Sequence, residues 1–163
     1  MKLTTKGRYA VMAIADIARH GPNIEGHMAV SLSDISLRQG ISLAYLEQLF
    51  VKLRRAGLVQ SHRGAKGGYV LNLPVQDLTV DMIIHAVDED IKAHGCDPKK
   101  EKSCTGMTAR CLTHNLWGAL ETHIETFLSA VSIHDVIEGD LPSLTPLEPV
   151  NPAQSSLLME VRK

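Results

Sequence analysis

Residues 31–73 read SLSDISLRQGISLAYLEQLFVKLRRAGLVQSHRGAKGGYVLNL. Ser31 and Asp34 form an S-x-x-D cap at the head of a short helix, Leu32 to Gln39, which Gly40 stops. Ser42 caps a second helix, Leu43 to Arg55, closed by Gly57. Two helices joined by a tight turn containing glycine make a helix-turn-helix. In the second helix Leu46, Leu49, Phe50 and Leu53 share the inward face. Tyr45, Gln48, Lys52 and Arg55 recur on another face, with Glu47 and Arg54 beside it. Leu58-VQSHRG and Gly68-YVLNL alternate as two short strands around Ala65-Lys66-Gly67. A basic, glycine-rich hairpin directly after such a helix is a wing, so the stretch predicts a winged helix.

Working outward, residues 5–20 predict a first helix with a broad apolar stripe of Tyr9, Val11, Met12, Ala13, Ile14, Ile17 and Ala18, ended by Gly21-Pro22. Ala29-Val30-Ser31 reads as one short strand. Pro74 to Asp77 is a link. Thr79 and Asp81 then open a short helix running through Val87, ended by the acidic run Asp88-Glu89-Asp90. A long helix is predicted from about Thr108 to Ala130. Its residues Leu112, Leu116, Leu120, Ile124, Phe127 and Val131 form a single apolar seam. A small winged domain does not need so long a helix for its own core, so the seam is expected to be a homodimer interface. The alternative is that it folds back on its own domain. Ser132 and Asp135 cap a last short helix. From Gly139 on, four of the chain's seven prolines fall among polar residues, and the tail reads as disordered. The expected fold is mostly α with a small β-wing. Residues 1–75 form the winged-helix domain. Residues 76–138 hold a cysteine loop and the dimerisation helix, and 139–163 the tail.

The charge supports a polyanionic partner. Residues 1–75 carry ten Lys and Arg against four acids, a balance of +6, while residues 76–163 carry seven against fourteen, a balance of −7. The basic half is the part to meet double-stranded DNA. Gln48 can pair adenine, Lys52 and Arg55 can reach guanine or phosphate, and Ser42 and Tyr45 can hold phosphate or a base. Arg63 and Lys66 on the wing suit the minor groove. Lys6 and Arg8 near the first helix's start suit phosphates. Glu47 repels phosphate and accepts only from a donor such as cytosine N4, so it penalises wrong sequences, unless it merely pairs with Arg54 or Lys52.

The chain's three cysteines and one histidine crowd into Cys96-DPKKEKS-Cys104-TGMTAR-Cys111-LT-His114. The first two gaps read as polar, lysine-rich loop. Cys111 and His114 lie three apart at the head of the long helix, on one face of it. Three thiols and an imidazole suit zinc or an iron–sulfur centre rather than magnesium or calcium. Buried structural thiols would need core around them, and that loop offers little. The odd count argues against disulfides. No apolar run approaches the ~20 residues of a membrane span, and a cytoplasmic protein with reduced thiols is expected, with no membrane partner. No nucleophile–base motif appears, and Gly64-AKGG lacks the Lys-Ser/Thr of a phosphate loop, so the chain does not read as an enzyme.

Met1-KLTTKGRYAV, Gly40-ISLAYLEQLFVKLRRAGLV, Arg63-GAKGGY, Ala86-VDE and Cys111-LTHNLW together resemble the IscR family of iron–sulfur cluster regulators. The likeness covers residues 1 to about 138. It implies a homodimeric winged helix-turn-helix transcription factor with one 2Fe–2S cluster per subunit, held by Cys96, Cys104, Cys111 and His114. It also implies that the iron–sulfur assembly machinery supplies the cluster. Occupancy would report cellular iron–sulfur status and change which promoters are bound, and the loaded form would typically repress assembly genes. Glu47 matches a family glutamate implicated in rejecting one class of site without the cluster, and Arg63 matches the wing arginine. Two features depart from the pattern. The gaps of seven and six residues between the cysteines are longer than usual, and Ala44 stands where serine is common. The rival readings are a zinc-stabilised winged-helix repressor and a 4Fe–4S nitric oxide or iron sensor in which His114 is a spectator.

Overall fold

The computed structural model describes residues 5–21, 29–64, 67–89 and 112–142. Six helices and one hairpin follow in order: α1 (Thr5–His20), α2 (Leu32–Gln39), α3 (Leu43–Arg55), β1 (Val59–His62), β2 (Gly68–Leu71), α4 (Val80–Ala86), α5 (His114–Ala130) and α6 (Ile133–Glu138). The caps act as their residue types predict. The Ser31 hydroxyl accepts from the Asp34 amide, Ser42 from Tyr45 and Thr79 from Met82. Ser132 and Asp135 close a reciprocal capping box on α6. Gly40 ends α2 in the left-handed conformation, φ 66°, where an L side chain is strained. The Ser36 hydroxyl then donates to the Ile41 carbonyl at 2.6 Å and fixes the turn into α3.

One core organises these elements. Ala10, Ala13, Ile14 and Ile17 of α1 meet Ile35 of α2 and the inward face of α3, with Leu46, Leu49, Phe50 and Leu53 all buried. Val30, Ile41, Leu58, Val59, Leu78, Ile83, Val87 and Ile133 complete it, so α4 and α6 pack into the core of the winged helix. Fully burying each such side chain contributes about 1.5–3 kcal/mol. Backbone bonds lock the far elements in place: Ile133 N–H donates to the Leu78 carbonyl at 2.8 Å and Val80 N–H to Val131 at 2.9 Å.

The strands pair antiparallel, Val59 with Leu71 through His62 with Gly68. Residues 29–31 do not form the predicted strand. Only Val30 pairs, exchanging both backbone bonds with Tyr69. Ser31 is committed to capping α2, which stops a strand there from lengthening. The long helix also starts later than its periodicity predicts. Residues 112 and 113 form a turn before His114. Thr113 does not cap the helix with its side chain, and its hydroxyl instead accepts from the Trp117 indole at 3.2 Å. Residues 108–111 and the tail beyond 142 lie outside the described residues.

Asp16, which interrupts the apolar run of α1, has a fully buried side chain. Arg38 donates to both its oxygens, the shortest contact being 2.6 Å, and Gln39 donates at 2.7 Å. Burial alone would raise this carboxyl. The hydrogen bonds from Arg38 and Gln39, with the charges of Arg38 and His20, outweigh it and hold the group below its ordinary 3.8. Asp16→Ala is expected to cost about 2–3 kcal/mol at pH 7. That is less than the ~3–5 kcal/mol of a fully buried pair, because Arg38 is partly exposed and can rehydrate. The folded pKa is depressed, so the contribution is complete above 3.8 and is lost as pH falls through the folded value. Urea unfolding of both proteins from pH 7 to about pH 2.5 should show the gap between them narrowing only below that point. An undiminished gap in acid would remove the carboxylate from the explanation.

Candidate nucleic-acid interface and metal centre

The α3 helix presents its outer face because its inner face is spent on the core. Glu47, Gln48, Arg54 and Arg55 are exposed. Ser42 is exposed at the N-cap, where its oxygen accepts the Tyr45 amide and its hydroxyl proton remains to donate. Tyr45 is half-buried, its ring edge-on to Tyr9 at 5.9 Å, so it also braces α3 against α1. Arg8 is exposed on the first turns of α1, and Lys6 is half-buried. Arg63 is exposed just beyond the last strand pair, where the hairpin turns through Gly64. Lys66 lies outside the described residues. The predicted DNA-facing side chains on α1, on α3 and its N-cap, and just past β1 are thus mostly at the surface.

Two of the cations are engaged within the protein. Lys52 Nζ lies 2.8 Å from an Asp88 carboxylate oxygen, and Lys6 Nζ donates to the Asp88 backbone carbonyl at 3.1 Å. The Lys52 hydrogen bond and charge, with the charges of Lys6 and Arg55, hold the Asp88 carboxyl below the ordinary carboxylate value. Glu47, the alternative partner for Lys52, makes no ion pair among the described residues. Next to Asp88, Glu89 is buried with its carboxyl against Gly7 of α1. A Cβ at Gly7 would overlap Glu89 Oε2. The sequence marks Asp88-Glu89-Asp90 as a helix end and, through Ala86-VDE, as part of the family likeness, but names no partner for either carboxylate. The unusual signal was an acidic run directly after an apolar helix in a chain whose other half is basic.

Of the four candidate metal ligands, Cys96, Cys104 and Cys111 lie outside the described residues. His114 is the first residue of α5 and is half-buried. The donor set itself fits a soft or borderline metal: thiolates and an imidazole, with no carboxylate among the four.

The α5 helix buries none of its residues in the chain. Leu112 is fully exposed, Leu116 is 61% exposed, and Trp117 and Leu120 are exposed. Its last turns differ. Phe127 and Leu128 pack against Val80, Ile84 and Val131. The predicted seam therefore divides, its end folding onto α4 and its beginning left uncovered. Among the described residues, no helix is long and apolar enough to cross a membrane.

Residues 3–139 match the Rrf2 family, described as an iron-dependent transcriptional regulator. The chain is 53% identical over 137 residues to the HTH-type transcriptional regulator IscR of Aliivibrio salmonicida, covering 84% of this chain and 77% of that one. It is 49% identical over 139 residues to the regulator of the same name from Pectobacterium atrosepticum, covering 85% and 80%. Among solved structures it is similar to T. potens IscR, with TM-score 0.67, 35% identity and coverage of 86% and 88%. It is also similar to CymR, the global cysteine regulator of B. subtilis, with TM-score 0.68, 31% identity and coverage of 85% and 98%.

Proposed function

We propose, for a chain that belongs to the Rrf2 family of transcriptional regulators and is of the IscR type, that it senses iron–sulfur status through a 2Fe–2S cluster and controls genes for cluster assembly. Residues 1–75 grip promoter DNA as a winged helix, and residues 76–138 carry the cluster and pair two copies. The tail from 139 on has no assigned part. The observation that carries this reading is the donor set, Cys96, Cys104, Cys111 and His114, running into the first residue of an α5 whose apolar face is exposed.

Those four residues would hold one cluster per subunit, which when bound supplies a centre whose presence depends on iron and sulfide supply. The chain's own contribution is the ligand choice. One imidazole in place of a fourth thiolate leaves the site less negative and gives it a titratable ligand, which suits a centre that is gained and lost. On the DNA side Ser42, Tyr45, Gln48 and Arg55 meet the major groove, with Lys52 on the same face but held by Asp88, Lys6 and Arg8 meet the backbone, and Arg63 and Lys66 the minor groove. Glu47 rejects sequences that offer it no donor. The cluster comes from the assembly machinery in the cytoplasm, where thiols remain reduced. Both repression and activation fit a regulator whose binding depends on occupancy.

The test is visible absorption with iron and sulfide content, on wild type and His114→Ala handled without oxygen, followed by duplex binding across a salt series. Wild type is expected to be coloured, with two irons and two sulfides per chain, and His114→Ala to lose most of both. Loaded and stripped wild type should then differ in affinity for at least one promoter. By linkage that same DNA should slow cluster loss by the matching factor. Colourless protein containing zinc would favour the zinc-stabilised repressor. A His114→Ala protein with unchanged iron and colour would make the histidine a spectator. Equal affinities at every promoter would end the sensing reading.

A further inference from the structure

Among the described residues Asp88 is the one non-glycine residue with positive φ, 54°. The other left-handed positions are Gly40, Gly57, Gly64 and Gly139. Asp88 sits just past the end of α4 in a doubly bonded helix stop. Its own N–H reaches the His85 carbonyl at 3.0 Å, and the Glu89 N–H reaches back to Ile84 at 3.3 Å. Glycine is the ordinary residue at that place, because a Cβ is strained there. The aspartate brings a carboxylate in exchange for the strain. That carboxylate lies 2.8 Å from Lys52 Nζ, and the Val87 carbonyl at the same helix end lies 3.5 Å from it. A helix C-terminus carries partial negative charge, which reinforces the hold on an ammonium. Backbone strain, the ion pair and the helix end thus converge on one cation of α3.

Resting on the reading of α3 as the helix that meets DNA, we propose that Asp88 is a positioning residue that withholds Lys52 from the duplex. Its carboxylate occupies the ammonium that would otherwise neutralise a phosphate or reach a base edge. DNA binding at this face then uses Arg55, Gln48 and the wing, while Lys52 contributes only when its internal partner is given up. A cation already paired within the protein releases no counterion from DNA, so the effect is readable in salt dependence.

The experiment uses the full chain and a promoter duplex that wild type selects from a random-sequence pool. Binding is followed across a salt series, with thermal melting as a check on folding. Asp88→Asn keeps the size and the tolerance for left-handed backbone but removes the charge. It is expected to bind more tightly, with a slope of log K against log salt steeper by about 0.9, one phosphate's worth. Its advantage over wild type should shrink about 3.5-fold between 50 and 200 mM salt, which is a fourfold rise at that slope. Asp88→Gly should gain the same affinity while melting higher than wild type, since it also relieves the strain. Lys52→Gln combined with Asp88→Asn should cancel the gain.

The idea is overturned, with the DNA reading intact, if Asp88→Asn matches wild type in slope and affinity. It is equally overturned if Asp88→Asn gains as much when Lys52 is already glutamine. The second result would mean that removing any negative charge suffices. A wild type that selects no duplex, or an Arg55→Ala protein that binds as well as wild type, would instead sink the DNA reading itself.

Discussion

A chain carrying Leu116→Asp and Leu120→Asp is expected to sediment as a monomer where wild type sediments as a dimer, and to bind a two-half-site operator 10²- to 10⁴-fold more weakly. The expectation comes from an imbalance along α5. The turn before it exposes Leu112 and its first turns expose Leu116, Trp117 and Leu120, while its last turns are seated on α4 through Phe127 and Leu128. An exposed row of this kind on a helix joined to a packed domain is the surface that the proposed dimer would cover. A second copy covering Leu116 and Leu120 would recover about 1.5–3 kcal/mol for each side chain fully buried. Carboxylates there would have to be desolvated beside their own symmetry copies, which costs far more than the leucines contribute. Both positions are exposed and neither belongs to a core cluster, so the variant's winged domain should melt close to wild type. That separates lost pairing from lost folding. A variant that stays dimeric at micromolar concentration would move the interface elsewhere. A wild-type monomer would remove the interface altogether.

The second large effect belongs to Phe50. This residue is fully buried, and its ring lies 4.6 Å from Tyr69 at a tilt of 58°. It therefore ties the inner face of α3 to β2, the strand that carries the wing's return. Tyr69 in turn exchanges backbone bonds with Val30. Phe50→Ala is expected to destabilise by about 3–5 kcal/mol, the lost transfer energy plus the cavity left in a closely packed core. A domain of this size has roughly 5–15 kcal/mol in total, so the variant sits near its unfolding threshold. Urea unfolding should show a lower midpoint with an unchanged slope. What remains folded should bind DNA less tightly, because this contact is one of those that join the α3 helix to the wing. A loss below about 1 kcal/mol would mean that the site collapses around the missing ring.

Much of this protein is written in short-range signals. Ser31, Ser42, Thr79 and Ser132 announce four helix starts, and each caps as its spacing predicts. A cap is satisfied within three residues and needs nothing from the rest of the chain. The inward face of α3 is equally legible, since helical period alone selects Leu46, Leu49, Phe50 and Leu53. Residues 29–31 depart from their strand propensity for a related reason. Their strand propensity is real, but Ser31 is taken by the helix that follows and a single bridge is all that remains. The donor spacing from Cys96 to His114 is a fact of the sequence, and the described structure adds only that His114 opens α5.

By itself, then, the order of residues determined most of the elements, the caps of α2, α3, α4 and α6, the buried face of the reading helix and the identity of the candidate ligands. Only the tertiary structure decided which charges meet. Asp16 interrupts the apolar run of α1, and its partners Arg38 and Gln39 come from α2. Lys52 looked like a solvent-facing cation until α4 ended beside it with Asp88 in a left-handed turn. The α5 seam looked uniform until its last turns found Val80 and Ile84. Periodicity and capping act over a few residues and so leave their mark in the sequence. Partners far apart along the chain are chosen by the angles at which helices pack, and those emerge only when the whole core closes.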